Sequence, residues 1–224
     1  MSEIEKSELV SLAKKCFKNG QFVSVITHMK EVIKLEIPLN YFERILIYNS
    51  LCYLQLPFIN ILSDIKIHEK IHSDIINNIK EALCNLCNDA IYFLDDSSSE
   101  KDISKEAIAH YKCFKGIQYC CLVNYTPNSS NKDDKNKALE LYEEATEIAN
   151  EYLNPAHPVR LFIAYYFSKH YSCLLNNDDE ALKIAKNAYK IGLECLPELA
   201  ENLKESAEFQ LECLQMFIDN YSYL

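Results

Sequence analysis

The stretch that decides the fold is Leu153–Leu196, which reads LNPAHPVRLFIAYYFSKHYSCLLNNDDEALKIAKNAYKIGLECL. Pro158 can occupy the first position of a helix, where its missing N–H is harmless and its φ is already suitable. The residues that follow, Val159–Leu175, are apolar on almost every face. Such a helix has to be buried on most sides, so the sequence predicts a core helix with other helices packed around it.

A second helix follows in the same stretch. Asn177, with Glu180 three residues later, predicts an N-cap pair. Small and apolar residues then recur on one face at helical spacing: Ala181, Ile184, Ala185, Ala188 and Ile191. Gly192 and Pro197 are both stop signals, so we expect this helix to end there.

The composition favours long helices over strands. The chain has 224 residues, 49% of them hydrophobic and 25% charged, with only three Gly, six Pro and no Trp. No run alternates cleanly between apolar and polar residues, which is the pattern of a half-buried strand. We therefore predict an all-α protein that forms a single domain over residues 1–224.

Helical periodicity continues through the rest of the chain. The predicted helices cover residues 7–19, 22–35, about 41 to 94 in two parts, 104–124, 138–152 and 198–220. The polar residues 95–104 and 126–136 predict loops.

The third helix carries two local signals. Asn40 and Glu43 predict reciprocal caps at its start near Tyr41. Pro57 lies inside it and removes a backbone donor, so we expect a kink or break between Tyr53 and Pro57.

Charge and cysteine usage indicate which partners and which cellular compartment to expect. The net charge of −10 repels phosphate backbones, so we expect no nucleic-acid partner. We find no secretory segment and no apolar run as long as a membrane span, so we expect no membrane partner. The ten cysteines suit a reducing compartment. The chain is therefore predicted to be cytoplasmic, with access to the nucleus.

One motif suggests an enzyme. His68, Glu69 and His72 spell H-E-x-x-H, and on a helix the two histidines share a face that could bind zinc, with Glu69 as the base. No third ligand lies at a familiar spacing, and Lys70 places a cation inside the motif. A zinc-dependent hydrolase is the alternative function, and a solvated helix end is the simpler interpretation. We assign no catalytic residue, no metal and no cofactor.

The cysteine pairs are interpreted as packing residues. Cys84 and Cys87 form C-x-x-C inside a helical pattern rather than at a strand-to-helix turn. Cys120 and Cys121 are adjacent on the fifth helix and point to different faces. No Ser or Cys is paired with a His at a recognisable spacing.

The stretch Leu153–Leu196 resembles part of a known protein family. Asn154–Leu161 (NPAHPVRL), Tyr166–Ser168 and Leu175–Asn176 are similar to the seventh and eighth helices of 14-3-3 proteins. Weaker similarity extends over about residues 8–220 and includes Lys115–Gly116 on the fifth helix. The resemblance implies about nine antiparallel helices, a cup-shaped dimer and a concave groove that binds phosphoserine or phosphothreonine peptides. It also implies a non-enzymatic adaptor that acts in signalling.

The resemblance also places the groove residues, and the phosphate ligands are missing. The family uses a Lys and an Arg on the third helix, which become Cys52 and Ile59, and an Arg-Tyr pair on the fifth, which becomes Cys120 and Cys121. Other groove positions by the same alignment are Lys115, Tyr165, Tyr166, Lys169, Glu212, Met216, Asp219 and Asn220. Arginine forks suit phosphate oxygens, and none is present at these positions. We predict a degenerate groove and a protein or peptide partner that need not be phosphorylated.

The family dimerises through opposite-charge pairs between the first helix and the partner's third and fourth helices. The matching pairs here, Gln21 with Ala82 and Ser24 with Asn78, carry no charge. Three isoleucines fall on the same surface: Ile61, Ile65 and Ile75. A homodimer or heterodimer with an altered or weakened interface is expected.

The chain ends Tyr221-Ser222-Tyr223-Leu224. A phosphoserine two residues before a free carboxylate resembles one ligand type of the family. Ser222 is therefore a candidate tail ligand, and an unmodified chain end is the simpler interpretation.

Overall fold

The computed structural model describes residues 2–67, 73–98, 103–125 and 131–221. Within these ranges the chain forms nine α-helices, one short 3-10 helix and no strand, which confirms the all-α prediction. The α-helices are α1 (Ser2–Lys18), α2 (Phe22–Lys34), α3 (Tyr41–Ile67), α4 (Ser73–Ser98), α5 (Lys105–Tyr125), α6 (Asn131–Tyr152), α7 (Pro158–Cys173), α8 (Asp178–Cys195) and α9 (Glu201–Tyr221). The 3-10 helix, Leu196–Glu198, joins α8 to α9.

The chain folds as two compact units. The first unit contains Met1–Ile103 and Cys121–Asn131, and the second contains Ser104–Cys120 and Lys132–Leu224. Helix α5 contributes residues to both. A single domain over residues 1–224 stays a prediction.

The first unit is built on the α1–α2 hairpin. Gly20 makes the turn with a φ of 72°, a conformation that glycine adopts without steric cost. The apolar stripes of both helices are buried against α3 and α4. The core of this unit contains Val10, Ala13, Val25, Met29, Val32, Leu39, Leu46, Ile47, Leu51, Ala90 and Phe93.

The start of α3 has the predicted caps. The Glu43 backbone N–H donates to Asn40 Oδ1 at 3.0 Å, and the Asn40 N–H donates to Glu43 Oε2 at 2.9 Å. The Lys6 ammonium on α1 lies 3.0 Å from the same Glu43 oxygen and donates to the Pro38 carbonyl at 2.9 Å. These bonds satisfy backbone groups at the helix start and attach α1 to it.

Of the kink or break predicted in α3, the break is wrong and the kink stays a prediction. The helix runs from Tyr41 to Ile67 with Pro57 inside it. Pro57 and Tyr53 are both exposed, so water can bond the carbonyl group that proline leaves without a donor. Buried Leu51 and Leu62 hold the helix on either side of this point.

Helix α3 corrects the expectation that no apolar run is as long as a membrane span. Its Tyr41–Asp64 segment is long and apolar enough to cross a membrane by length and composition, with a mean hydropathy of 1.5. The core helix of a soluble protein can have the same length and composition. This segment carries four buried polar side chains, which belong to a protein core rather than to lipid: Glu43, Arg44, Ser50 and Gln55.

The second unit contains the stretch Leu153–Leu196, which forms the two predicted helices. Pro158 is the first residue of α7, and the His157 ring caps this helix by accepting from the Val159 N–H at 3.3 Å. The Glu180 N–H donates to Asn177 Oδ1 at 3.1 Å, which confirms the cap of α8. The core shared by α7, α8 and α9 includes Ala156, Leu161, Ala181, Ala185, Leu199, Ala207, Leu211, Leu214, Phe217 and Ile218.

Gly192 does not end α8, which continues to Cys195. A Cβ at this position would lie 2.8 Å from Leu161 Cδ2 and 3.0 Å from Leu211 Cδ2. The glycine therefore permits close packing of α8 against α7 and α9. Gly192 acts through packing between helices, so a rule based on the local sequence placed the helix end wrongly.

Two predicted loops are shorter than expected. Helix α4 extends to Ser98, and α6 begins at Asn131. Asp133 and Asp134 in the first turn of α6 interact favourably with the helix dipole. Polar residues on an exposed helical turn cannot be told from a loop by polarity alone.

We expect Gly192→Ala to destabilise the protein by about 1 kcal/mol. Overpacking a core costs about 1–3 kcal/mol, while alanine improves helix propensity by about 1 kcal/mol. Urea unfolding measures the difference, and Lys190→Ala on an exposed position of α8 is the control. A more stable Gly192→Ala protein would contradict the packing role.

Candidate peptide-binding surface

The residues predicted to form the binding surface divide between the two units. Cys52 and Ile59 on α3 and Cys121 on α5 belong to the first unit, and all three are half-buried. The remaining positions belong to the second unit: Lys115, Cys120, Tyr165, Tyr166, Lys169, Glu212, Met216, Asp219 and Asn220. Each unit contributes its own local chemistry.

A pocket between α7 and α9 brings four of these residues together. Tyr165 and Lys169 line it from α7, and Met216 and Asn220 line it from α9. Its volume is about 320 Å³. The rest of the lining is Cys173, Cys213, Phe217 and Tyr221. A mostly apolar lining with one amide and one ammonium group suits a side chain of a peptide.

A hydrogen-bonded group fixes the two walls of this pocket. The buried Ser172 hydroxyl on α7 donates to Asp178 Oδ1 at 2.6 Å and accepts from the Tyr221 hydroxyl at 2.7 Å. These bonds hold the end of α9 against α7 and the start of α8. The separation of the pocket walls is thereby set.

Of the residues that line this pocket, only Lys169 carries a charge. Its ammonium nitrogen lies 5.4 Å from the centroid of the Tyr165 ring and 5.7 Å from that of Tyr166. Cation–π attraction to two rings stabilises the ammonium group beside the pocket. Among the described residues, it is therefore the two aromatic rings that place Lys169.

The two acidic positions do not line the same pocket. Glu212 and Met216 border a separate depression between α8 and α9. Asp219 is exposed, and its Oδ1 accepts from Gln215 Nε2 at 2.6 Å. Both carboxylates lie on α9 and add negative charge to this helix.

Cys120 forms a contact that the sequence reasoning missed. Its sulfur lies 3.2 Å from His170 Nδ1 on α7 and 3.7 Å from the Tyr142 hydroxyl on α6. Burial, with a smaller contribution from Lys135, lowers the pKa of His170 from 6.5 to about 4. The imidazole is therefore neutral near pH 7. Fifty positions separate the two residues, so no local spacing could have indicated the pair.

Cys121 pairs with a different residue, on α4. Its thiol is hydrogen-bonded to that of Cys87, which lowers the pKa of Cys121 and raises that of Cys87. Gln55 Nε2 on α3 donates to the Cys87 sulfur at 3.6 Å. The C-x-x-C cysteine Cys87 is fully buried, as its packing interpretation predicted.

Both arginines of the chain bind backbone carbonyl groups. Arg44 is 1% exposed, and its Nη1 donates to the Leu39 carbonyl at 2.6 Å. Arg160 Nη1 donates to the Leu153 carbonyl at 2.9 Å, just beyond the end of α6. Each guanidinium therefore has a structural role.

Some predicted residues lie outside the described part of the chain. These are His68, Glu69 and His72 of the zinc motif and Ser222 of the tail. Among the residues that the structure describes, no group of three or more His, Cys, Asp or Glu side chains could hold a metal ion.

Comparison with known proteins agrees with this architecture. The sequence model of the family described as "14-3-3 protein" matches residues 12–222. "14-3-3 protein 7" of Solanum lycopersicum is 27% identical over 230 residues, covering 97% of this chain and 90% of that protein. "14-3-3 protein 3" of Entamoeba histolytica is 25% identical over 222 residues, covering 94% and 92%. A "14-3-3 protein homolog" of Trichoderma harzianum is 33% identical over 142 residues, covering 63% and 53%.

The helical architecture defines an all-α protein, and the family match defines its class. The chain belongs to the 14-3-3 family, of which it is a divergent member. Its general role is accordingly that of an adaptor that binds other proteins, in a family that dimerises and is not generally enzymatic.

The buried His170 should make the fold sensitive to acid. Its pKa is lower in the folded state, so the unfolded chain binds a proton first and the free energy of unfolding falls as the pH decreases from 6.5 towards 4. This effect amounts to about 2 kcal/mol at pH 5 relative to pH 8. Urea unfolding at both pH values, for the wild type and for His170→Phe, isolates it. Equal losses of unfolding free energy in the two proteins would exclude a contribution from His170.

Proposed function

We propose that this protein is a 14-3-3-type adaptor that recognises its partners without depending on phosphate. The observation that carries the proposal is the chemistry at the positions matching the family's phosphate ligands, where Cys52, Ile59, Cys120 and Cys121 supply no positive charge. We further propose that it acts in the cytoplasm. The zinc-hydrolase alternative has no support among the comparisons.

The arginines of this chain support the proposal. A phosphate dianion is bound best by paired guanidinium groups, because their fixed N–H forks match its oxygens. The chain has only two arginines, Arg44 and Arg160, and both donate to backbone carbonyl groups. Moving either one to a ligand would leave those carbonyl groups without their donor, at a cost of about 1–3 kcal/mol.

The neighbourhood of Cys120 supports it as well. A thiol is a weak donor, and the neutral imidazole of His170 adds no charge near pH 7. Tyr142 is fully buried, and burial raises the pKa of its hydroxyl, so that group stays neutral too. A dianion brought to this position would lose its hydration, and the thiol, the imidazole and the phenol would give it no charged partner in return.

The pocket between α7 and α9 is the surface that we propose for the partner peptide. Met216, Phe217 and the ring of Tyr165 offer apolar contact, and the Asn220 amide can bond a peptide backbone. Lys169 is a single flexible cation, so it can recover only part of the charge lost at the other positions. Exposed Glu212 and Asp219 on α9 disfavour an acidic ligand.

Fluorescence anisotropy with a panel of family-type phosphopeptides and their unphosphorylated twins tests the proposal. Loss of three charge-assisted hydrogen bonds would cost about 4–9 kcal/mol if their contributions added, which is a factor of about a thousand or more in affinity. We expect no difference between the twins. The control is the quadruple variant Cys52→Lys, Ile59→Arg, Cys120→Arg, Cys121→Tyr, which should gain phosphate-dependent binding. Submicromolar, phosphate-dependent binding by the wild type would overturn the proposal.

We propose in addition that the dimer depends on apolar rather than charged contacts. The positions matching the family's ion pairs, Gln21 with Ala82 and Ser24 with Asn78, are uncharged. The first unit exposes several large apolar side chains on α1 to α4: Ile4, Leu12, Val23, Ile61 and Ile75. Such side chains are stabilised when a second chain covers them. The side chain of Ile65 lies outside the described part of the structure.

Sedimentation equilibrium tests the assembly. Ile61→Glu with Ile75→Glu should weaken dimerisation more than tenfold, because each charge would be buried without a partner. Ser24→Asp with Asn78→Lys restores one ion pair and should strengthen the dimer by a factor of a few. Phe209→Glu, on an exposed position of α9, is the control and should change nothing. A tight dimer that the paired isoleucine changes leave intact would contradict the apolar interface.

A further inference from the structure

We propose that Cys121 and Cys87 form a hydroperoxide-responsive pair, in which oxidation of Cys121 leads to a disulfide bond that links α5 to α4. The ten cysteines are all free in this structure, so the pair is described in its reduced form. The proposal concerns a modification site and does not depend on how the protein recognises its partners.

The geometry divides two roles between the thiols. Cys121 is half-buried, so a small oxidant can reach it, whereas Cys87 is fully buried. The two thiols are already hydrogen-bonded to each other. Reaction at Cys121 would therefore leave the second thiol in place to complete the bond, without movement of either helix over a long distance.

The electrostatics favour Cys121 as the residue that reacts first. A thiolate, not a thiol, attacks peroxides, and the half-buried Cys121 sulfur can ionise and meet an oxidant more readily than the fully buried Cys87 sulfur. The hydrogen bond donated by Cys87 lowers the pKa of Cys121, and the same hydrogen bond, together with burial, raises the pKa of Cys87. Gln55 Nε2 donates to the Cys87 sulfur at 3.6 Å and so helps to orient the resolving thiol.

The reaction balances in two steps. The Cys121 thiolate attacks the terminal oxygen of a hydroperoxide ROOH; the O–O bond breaks, an S–O bond forms, and with one proton the products are a sulfenic acid and the alcohol ROH. The Cys87 sulfur then attacks the Cys121 sulfur; the S–S bond forms, the S–O bond breaks, and hydroxide takes the Cys87 proton to leave as water. The two thiols are oxidised by two electrons in total, and the peroxide is reduced.

Neighbouring cysteines provide matched controls. Cys84 lies one helical turn before Cys87 on α4, and Cys120 precedes Cys121 but is directed to His170, 3.2 Å away. A non-specific oxidation would use these thiols as readily as the proposed pair. Their serine variants therefore separate a specific pair from general thiol oxidation.

The test is peptide mapping of the purified full chain after brief exposure to hydrogen peroxide. Catalase stops the reaction, iodoacetamide blocks free thiols in denaturant, and trypsin releases peptides 81–101 and 116–132. We expect a disulfide bond to join these two peptides, with a mass two hydrogens below the sum of the two peptide masses. Reduction by dithiothreitol should separate them again. Each peptide contains two cysteines, so variants must assign the bond.

Cys84→Ser and Cys120→Ser should keep the joined peptides, whereas Cys87→Ser and Cys121→Ser should lose them. Cys87→Ser should also leave a sulfenic acid on Cys121 that dimedone captures. If serine prevents folding at the buried position, Cys87→Ala provides the same comparison. Joined peptides in either Cys87 or Cys121 variants, or none in the wild type at peroxide doses that fully oxidise free cysteine, would overturn the proposal.

Discussion

The burial of α7 constrains the rest of the second unit. Its apolar faces leave no polar side that could remain in water, so α8 and α9 have to cover it, and Gly192 lets α8 approach within contact of Leu161. Tyr165 and Lys169 are among the α7 residues that stay half-buried. The candidate pocket is therefore a consequence of how completely the helix is packed.

The proposed function combines the family's fold with different ligand chemistry. On the proposed alignment, thiols and an isoleucine occupy positions where the family has charged ligands, and the two arginines of the chain are bonded to backbone carbonyl groups. Architecture depends on apolar periodicity and helix caps, which tolerate such changes at surface positions. Ligand chemistry depends on a few side chains, so divergence can alter it while the helices stay the same.

Local signals in the sequence predicted much of the fold. The caps at Asn40 and Asn177 and the start of α7 at Pro158 were confirmed, because each depends on residues within one helical turn. The break predicted at Pro57 and the helix end predicted at Gly192 were wrong, because the effects of these residues depend on solvent access and on the neighbouring helices. Polarity likewise set the wrong limits for α4 and α6, since an exposed helical turn is as polar as a loop.

By itself the sequence determined the helical class, the family resemblance and the presence of only two arginines, because these follow from residue types and short spacings. Only the tertiary structure decided which side chains meet. It brought Cys120 to His170 and Cys121 to Cys87, and it joined Tyr165 and Lys169 with Met216 and Asn220 around one pocket. Such contacts link residues far apart in the chain, and they form only when packed helices fix the distances between their faces.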